Sequence, residues 1–375
     1  MKRIVLTGGP CGGKTTSLAR ITERLQYLGY QTFVVPETAT MIFGAAALHP
    51  PSMSQSELFG FENSLLQMQK GLEDSFAKLA SYSKKPAVLI CDRGAMDVAA
   101  FLTPEMWQAV LDEHQTREID LRDGRYDAVI HVTTAAQGAE EFYSLDNNPA
   151  RTETPEQARE ADRRILQAWT GHPHLRVVGN DQDFESKIQE IVSTVCNAVG
   201  LPEPYETERK FLVGEVRDIP VHHVTVEIEQ TYLRTENPEI EARIRRRGQG
   251  GSNIYTHCTK QRVNETTRIE KERQIGAREY VEFLSTRDPM RRTIRKMRTC
   301  FLWEGRYFEL DQFTDIDPPD SDDPVGPERL VLLEVELESP DQKVALPPFL
   351  DIAAEVTESR DYSNYALSLG KTDGN

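Results

Sequence analysis

Between Val199 and Pro204 the hydrophobic period of this 375-residue chain changes, and the change divides it into two folding problems. Before that point, short apolar runs at 4–6, 32–35, 87–91, 128–132 and 176–178 alternate with segments of helical character at 14–28, 54–80, 155–169 and 184–199. Continuous apolar strands joined by helical crossovers imply a parallel sheet covered on both faces. Beyond it the pattern is period two, in eight candidate strands at 206–213, 224–234, 241–247, 253–262, 266–275, 293–302, 306–313 and 330–338. The Gly and Pro residues of Val199-Gly200-Leu201-Pro202-Glu203-Pro204 stop the preceding helix and form a linker. The expected organisation is an α/β domain over 1–200 and an antiparallel β-domain over 205–370. Helices near 278–286 and 359–369 flank the second domain, and 314–328, rich in Asp and Pro, reads as a solvated loop. Eight antiparallel strands suffice to close a barrel around one small ligand.

The first apolar run leads into Gly8-Gly9-Pro10-Cys11-Gly12-Gly13-Lys14-Thr15-Thr16, which fits G-x-x-x-x-G-K-[ST] between a strand and a helix. Glycines allow the tight path that turns successive N–H groups inward onto phosphate oxygens, and the helix N-terminus adds positive potential. Lys14 then reaches the outer phosphates of ATP or GTP, and the Thr15 hydroxyl binds Mg²⁺. Asp92, at the end of the third strand, is placed to hold that ion or orient a nucleophile, and Glu37 is a second acidic candidate at the same sheet edge. Arg151, just before an Arg-rich helix, can swing onto a transferring phosphate; Arg159, Arg163 and Arg164 are accounted for by helical pairing with Glu156 and Glu160. Asn180-Asp181-Gln182-Asp183 loosely matches a guanine-reading loop, but Asp183 serves equally as a helix N-cap, so the base preference stays open.

A formal charge of −16 argues against general nucleic-acid binding. No apolar run approaches the ~20 residues a membrane span needs. Five scattered cysteines, with no redox or metal-ligand spacing, read as reduced thiols of a cytoplasmic protein.

In the second half the charges themselves alternate. Glu206, Glu208 and Lys210 share one face of a strand, as do Arg243, Arg245 and Arg247; Arg268, Glu270 and Glu272; Lys296 and Arg298; Glu309 and Asp311; and Glu334, Glu336 and Glu338. Lys260 joins them from the intervening strand. A sheet charged on one side in every strand is best satisfied by closure with the charges inward. Such an interior suits a triphosphate gripped by Lys210, Arg243, Arg245, Lys260, Arg268, Lys296 and Arg298. Its carboxylates require a hard divalent cation, Mg²⁺ or Mn²⁺, with Glu206, Glu208, Glu334 and Glu336 as ligand candidates. Water attacking a terminal phosphorus would be assisted by Lys260, Lys296 and Arg298.

Two resemblances carry the reading further. Residues 8–16, Pro36-Glu37-Thr38, Cys91-Asp92-Arg93, Asn148-Pro149-Ala150-Arg151-Thr152-Glu153 and the stretch from Ala168 to Leu175 resemble the NadR-like P-loop family, kin of small-molecule kinases. Glu206-x-Glu208-x-Lys210, Gln230-Thr231-Tyr232-Leu233, Arg243-Ile244-Arg245, Thr259-Lys260, the run from Arg268 to Glu272, Lys296-Met297-Arg298 and Glu334-Val335-Glu336 resemble the CYTH, or triphosphate tunnel metalloenzyme, superfamily. In this order the two halves look like the TRPL translocation defect family of fusions. The resemblance implies ATP or GTP binding by the first half and metal-dependent chemistry on triphosphate by the second. It also admits a GTP- and phosphoinositide-binding role in vesicle traffic, or a nucleoside-type kinase.

Overall fold

The computed structural model describes residues 1–45, 53–143, 154–201, 207–237, 240–262, 268–314, 316, 330–337 and 344–369, without the side chains of 207, 261, 262 and 268–270. The chain divides into two compact units, Met1–Pro202 and Glu203–Asn375.

In the first unit, β1 (Lys2–Thr7), β2 (Gln31–Val35), β3 (Ala87–Asp92), β4 (Ala128–Val132) and β5 (Leu175–Val178) form one parallel sheet in the order β2-β3-β1-β4-β5. The central strands are apolar throughout because both faces are covered; Ile4, Leu6, Ile90 and Ile130 are fully buried. Crossovers are supplied by α1 (Lys14–Tyr27), α2 (Thr38–Ala45), α3 (Gln55–Ser81), α4 (Pro104–Glu113), α5 (Glu118–Arg122), α6 (Pro155–Trp169) and α7 (Phe184–Ala198). Ser54 and Glu57 start α3 with a reciprocal capping box, and Thr154 with Gln157 does the same for α6. The short helices α2, α4 and α5 are absent from the sequence reading. Of these α4 had a local signal, Thr103 as N-cap followed by Pro104.

The second unit is a single antiparallel sheet of nine strands: β6 (Thr207–Val216), β7 (His223–Leu233), β8 (Ile240–Gln249), β9 (Ser252–Arg262), β10 (Arg268–Ile275), β11 (Ile294–Trp303), β12 (Arg306–Phe313), β13 (Val331–Leu337) and β14 (Leu350–Glu355). Their order is β10-β9-β8-β7-β11-β12-β13-β6-β14. The expected eight-stranded closed barrel is corrected to this open, nine-stranded sheet. The cause is local: β14, which the sequence reading left unassigned, pairs along the outer edge of β6 through two register shifts, and that edge would have been needed for closure. The loop expected at 314–328 lies almost wholly outside the described residues. The expected helix at 359–369 reduces to a 3₁₀ turn, Arg360–Tyr362, and the one-turn α9 (Asn364–Leu367).

Register places the charges. Lys210 stands opposite Glu334, Glu334 opposite Glu309, Asp311 opposite Arg298, and Arg247 opposite Ile228, which pairs with Lys296. One face therefore carries Lys210, Glu334, Glu309, Asp311, Arg298, Lys296 and the series Arg243, Arg245 and Arg247, while β7 turns Ile228, Gln230 and Tyr232 to it and keeps Glu227 and Glu229 on the other side. The other face is largely apolar. Part of it, with Phe211, Phe301, Phe308 and Val335, is covered by Phe349, Leu346 and Ile352; another part, with Ile244 and Ile275, is covered by α8 (Ala277–Leu284) through Tyr280 and Phe283. One end of the charged face is itself plugged. Ile294, Phe313 and Leu332 sit there with Tyr362 and Leu367 from the C-terminal turn and α9.

Candidate functional site

In the first unit the loop between β1 and α1 follows a path only glycine permits. Gly8 has φ 125°, and a Cβ on it would stand 2.1 Å from the Val132 carbonyl oxygen. Gly13, with φ 95°, precedes α1 without a capping side chain, so the first-turn N–H groups stay turned toward the loop. Lys14 Nζ donates to the carbonyl oxygens of Gly8 at 2.8 Å and Gly9 at 2.6 Å, which sets the ammonium in the curl of the loop. Burial, helped by the Arg93 cation, pushes the Lys14 ammonium down to about 8, against the pull of Asp92 and Glu37. Pro10 and Cys11 are half-buried, and Thr15 and Thr16 are exposed on the first turn of α1.

An acidic and basic cluster stands at the end of β3. Asp92 pairs in register with Leu6, and burial followed by the nearby Glu37 carboxylate pushes it up to about 6. Burial opposes ionisation of Glu37 as well, but its ion pair with Arg93 holds it at about 2. Arg93 adopts a left-handed φ of 70°, and its Nη1 lies 3.6 Å from Asp97 Oδ1. Asp97 also accepts the Gly94 N–H at 2.7 Å and the Thr7 hydroxyl. Glu62 enters from α3 almost without exposure, and burial pushes it up to about 8, with Arg93 pulling the other way. Arg151 lies outside the described residues.

Three supporting residues here carry no local sequence signal. Asp162, on α6, accepts the Gly9 N–H at 2.6 Å and the Thr134 N–H at 3.2 Å, with His131 Nε2 3.2 Å away. Burial works against its charge, yet His131 and the two N–H donors keep its carboxyl below the ordinary value. Asp97 and Glu62 act at a similar remove. Asn180 donates to the Thr134 and Gln137 carbonyls and accepts from Lys187 Nζ, and Asp183 caps α7. Arg159 binds the Ala136 carbonyl and Glu156, while Arg163 and Arg164 share Glu160, as helical pairing required.

On the charged face of the second unit the middle is dry. Lys210, Arg247, Lys296, Arg298 and Asp311 are all buried, with Asp311 at 0% exposure. Asp311, a face residue without an assigned role in the sequence reading, is the hub. It pairs with Lys296 Nζ and takes Arg298 Nε at 2.6 Å and Nη2 at 2.5 Å. Arg298 also pairs with Glu309 and, at 2.9 Å, with Glu334, which takes Lys210 Nζ at 2.9 Å. Burial opposes the Glu334 charge, but Lys210, Lys296 and Arg298 hold its carboxyl well below the usual range. Burial followed by the Arg298 cation pushes Lys296 down, whereas the carboxylates outweigh burial for Lys210.

Further along the face, Arg245 Nη1 stands 3.9 Å from Glu272, and its buried Nε has no hydrogen-bond partner among the described residues. Arg243 and Lys260 share the face, with Tyr232 opposite Arg243. Arg268 opposes Arg262 in register, its side chain outside the description. Glu208 and Glu336 face each other directly across β6 and β13, both exposed, and Glu206 and Glu338 lie outside the described residues. Among the described residues no three His, Cys, Asp or Glu side chains are grouped closely enough to hold a metal ion. A cation at the Glu208–Glu336 pair would need a further ligand.

A family model described as an AAA domain matches residues 3–187, the parallel-sheet unit with its phosphate loop. Two solved structures of one protein, described once as a hypothetical protein and once as an inorganic triphosphatase, are each 32% identical, cover 44% of this chain and 97% and 94% of theirs, and superpose at TM-scores of 0.31. A Pyrococcus horikoshii protein structure is 21% identical, over 36% of this chain and 81% of its own, at a TM-score of 0.27. No helix among the described residues is long and apolar enough to cross a membrane. An inorganic triphosphatase of Nitrosomonas europaea is 34% identical over 164 residues, 44% of this chain and 97% of the relative. At that identity, over nearly the relative's whole length, this chain belongs to the family of that inorganic triphosphatase.

Proposed function

We propose that the second unit is a metal-dependent phosphohydrolase acting on inorganic triphosphate or a similarly compact polyphosphate, and that the first unit binds ATP or GTP. The observation that carries the reading is the dry charged face. Lys210, Arg247, Lys296 and Arg298 are buried cations on one side of the sheet, carried with Arg243 and Arg245 by the three strands β6, β8 and β11. Burying so much charge is costly for a merely structural sheet, and a polyanion explains it.

In this reading Arg243 and Arg245 fork onto phosphate oxygens, while Lys210, Lys296 and Arg298 stabilise charge on the leaving phosphate. Asp311 fixes Lys296 and Arg298 in place. The opposed pair Glu208 and Glu336, with Glu206, suits a hard divalent ion by its oxygen chemistry, as Thr15 and Asp92 do in the first unit. Mg²⁺ or Mn²⁺ held there supplies charge neutralisation and a positioned water. Lys260, on the strand beside β10, extends the anion path, and Arg268 is the further cation proposed for it. The paired organisation supports classification with the TRPL translocation defect type of P-loop–CYTH fusion, working as a triphosphate tunnel. In the first unit the carboxylates Asp92 and Glu37 beside Lys14 favour phosphoryl transfer or hydrolysis over passive binding.

Phosphate release from inorganic triphosphate and from nucleoside triphosphates, with Mg²⁺, with Mn²⁺ and with chelator, tests this. Metal-dependent turnover is expected, lost in Glu206→Ala/Glu208→Ala. Absence of turnover in the parent protein, or turnover lost only in Lys14→Ala, would remove the chemistry from the second unit.

A further inference from the structure

Between α8 and β11 the chain makes a loop that belongs to neither phosphate site. Seven residues between Arg287 and Arg295 line an open cavity of about 400 Å³, where Arg287, Arg291, Arg292 and Arg295 outnumber two carboxylates, Asp288 in the lining and Glu229 beside Arg295. In a chain of net charge −16 this is a local reversal of sign. The cavity lies beyond one end of the charged face, where Arg291 reaches the Tyr232 ring. Arg295 alternates with Lys296 along β11 and so points to the opposite side of the sheet, and the other three arginines precede the strand.

The loop is held rather than left to wander. Arg287 bridges to Leu233 at the end of β7, Asp288 N–H donates to Tyr232 O at 2.9 Å, and Arg292 N–H donates to Ser368 O at 2.8 Å. Asp288 closes a turn by accepting the Met290 N–H at 2.9 Å. Arg291 is the most constrained of the four. It lies 3.5 Å over the Tyr365 ring and donates to Tyr365 O at 2.6 Å and Ser368 Oγ at 2.8 Å, with Nε 3.3 Å from Asp288. Arg292 Nε reaches Leu367 O at 3.1 Å, and Arg295 Nε pairs with Glu229 at 2.9 Å. Arg287 and Arg292 remain exposed at the rim. Guanidinium groups presented from a pinned backbone lose little freedom on closing around an anion.

We infer that this cavity is a second anion site, one that takes a small phosphate ester. Its volume falls at the lower end of small-molecule pockets, too small for an extended polymer and ample for a phosphate on a polyol body. The exposed Arg287 and Arg292, with the excess positive charge of Arg291 and Arg295 over Asp288 and Glu229 behind them, suit one dianionic phosphate bound through forked, charge-assisted hydrogen bonds. Such a phosphate could belong to a free metabolite or to a lipid headgroup.

The test uses the full chain and sn-glycerol 3-phosphate as the soluble probe, by titration calorimetry. Its lipid arm is co-sedimentation with phosphatidylcholine vesicles with and without phosphatidic acid. Arg287→Gln/Arg292→Gln changes two exposed side chains, so an unchanged melting temperature is expected to certify its fold. The expected result is binding weakened at least about tenfold in the variant, with the parent showing hydrogen-exchange protection of 287–295 on adding probe. Soluble binding alone assigns a metabolite; binding only to phosphatidic acid vesicles assigns a headgroup. Equal binding by parent and variant, or no binding of either probe by the parent, overturns the inference.

Discussion

At residues 8–15 the groups offered to an anion are main-chain N–H donors and one lysine, whereas on the antiparallel sheet they are side chains on alternate positions of many strands. The loop needs no counter-charge to fold, because amides are neutral and Lys14 is satisfied by the carbonyls of Gly8 and Gly9. The sheet has no such freedom. A buried Lys or Arg must be paired, so the face that collects cations must also collect acids, and Asp311 sits at 0% exposure between Lys296 and Arg298. The two proposed routes to phosphate binding thus differ in what they demand of the apo protein: one demands a backbone path, the other a balanced charge network.

Removing the balance should break the second route most severely. Asp311→Ala takes the ion pair from buried Lys296 and leaves Arg298 with Glu309 and Glu334, and should destabilise the unit by roughly 3–5 kcal/mol. A urea titration yielding less than about 1 kcal/mol would mean that the face is wet and the contrast with the loop is overdrawn. The next largest effect lies in the first unit. Glu62 is raised by burial from an ordinary 4.5 to about 8, so the folded chain holds a proton that the unfolded chain releases. Stability should therefore fall as pH rises from about 4.5 to about 8, by a few kcal/mol at about 1.36 kcal/mol per pH unit. Glu62→Gln should flatten that slope; an unchanged profile would show the group to be solvated.

The same contrast explains what could be read from sequence. The loop was legible residue by residue, since its backbone path forces Gly8 and Gly13 and its chemistry forces Lys14. The face was legible as a pattern: period two placed Lys210, Arg243, Arg245, Lys296, Arg298 and Glu334 together, as the register does. Which acid neutralises which base was not legible, because Arg298 meets Glu334 across an intervening strand and Asp162 meets Gly9 from 153 residues away. Closure also failed as an inference. Alternation says which side a residue takes, and nothing about whether a late segment such as β14 will occupy an edge.

Nucleotide binding offers a smaller, sharper probe of the loop. Lys14→Ala removes a charge whose hydrogen-bond acceptors are Gly8 O and Gly9 O, and Glu37 keeps its ion pair with Arg93. Stability should barely move, while affinity for ATP or GTP should drop by about 1.5–3 kcal/mol, the worth of a charge-assisted hydrogen bond. Because the Lys14 ammonium is depressed to about 8, the parent's affinity should also weaken as pH rises past about 8, with proton uptake on binding below saturation of that step. Calorimetry in buffers of different ionisation enthalpy would detect that uptake, and its absence would place the lysine's charge outside the binding event.

The smallest structural effect should come with a complete functional one. Glu208 is exposed, and its nearest cation, Lys210, is 3.6 Å away and already committed to Glu334 at 2.9 Å. Glu208→Gln should therefore change stability by under about 1 kcal/mol. Glu208 nonetheless stands directly opposite Glu336, the one place on the described face where two carboxylates are exposed side by side. Carboxylates so arranged repel each other, and their pairing gains by holding a divalent ion between them. Triphosphate hydrolysis should accordingly fall by orders of magnitude in Glu208→Gln while the melting temperature stays put, and raising Mg²⁺ or Mn²⁺ should recover part of it. A variant as active as the parent would separate the exposed carboxylates from the chemistry and leave only the buried cations to explain the face.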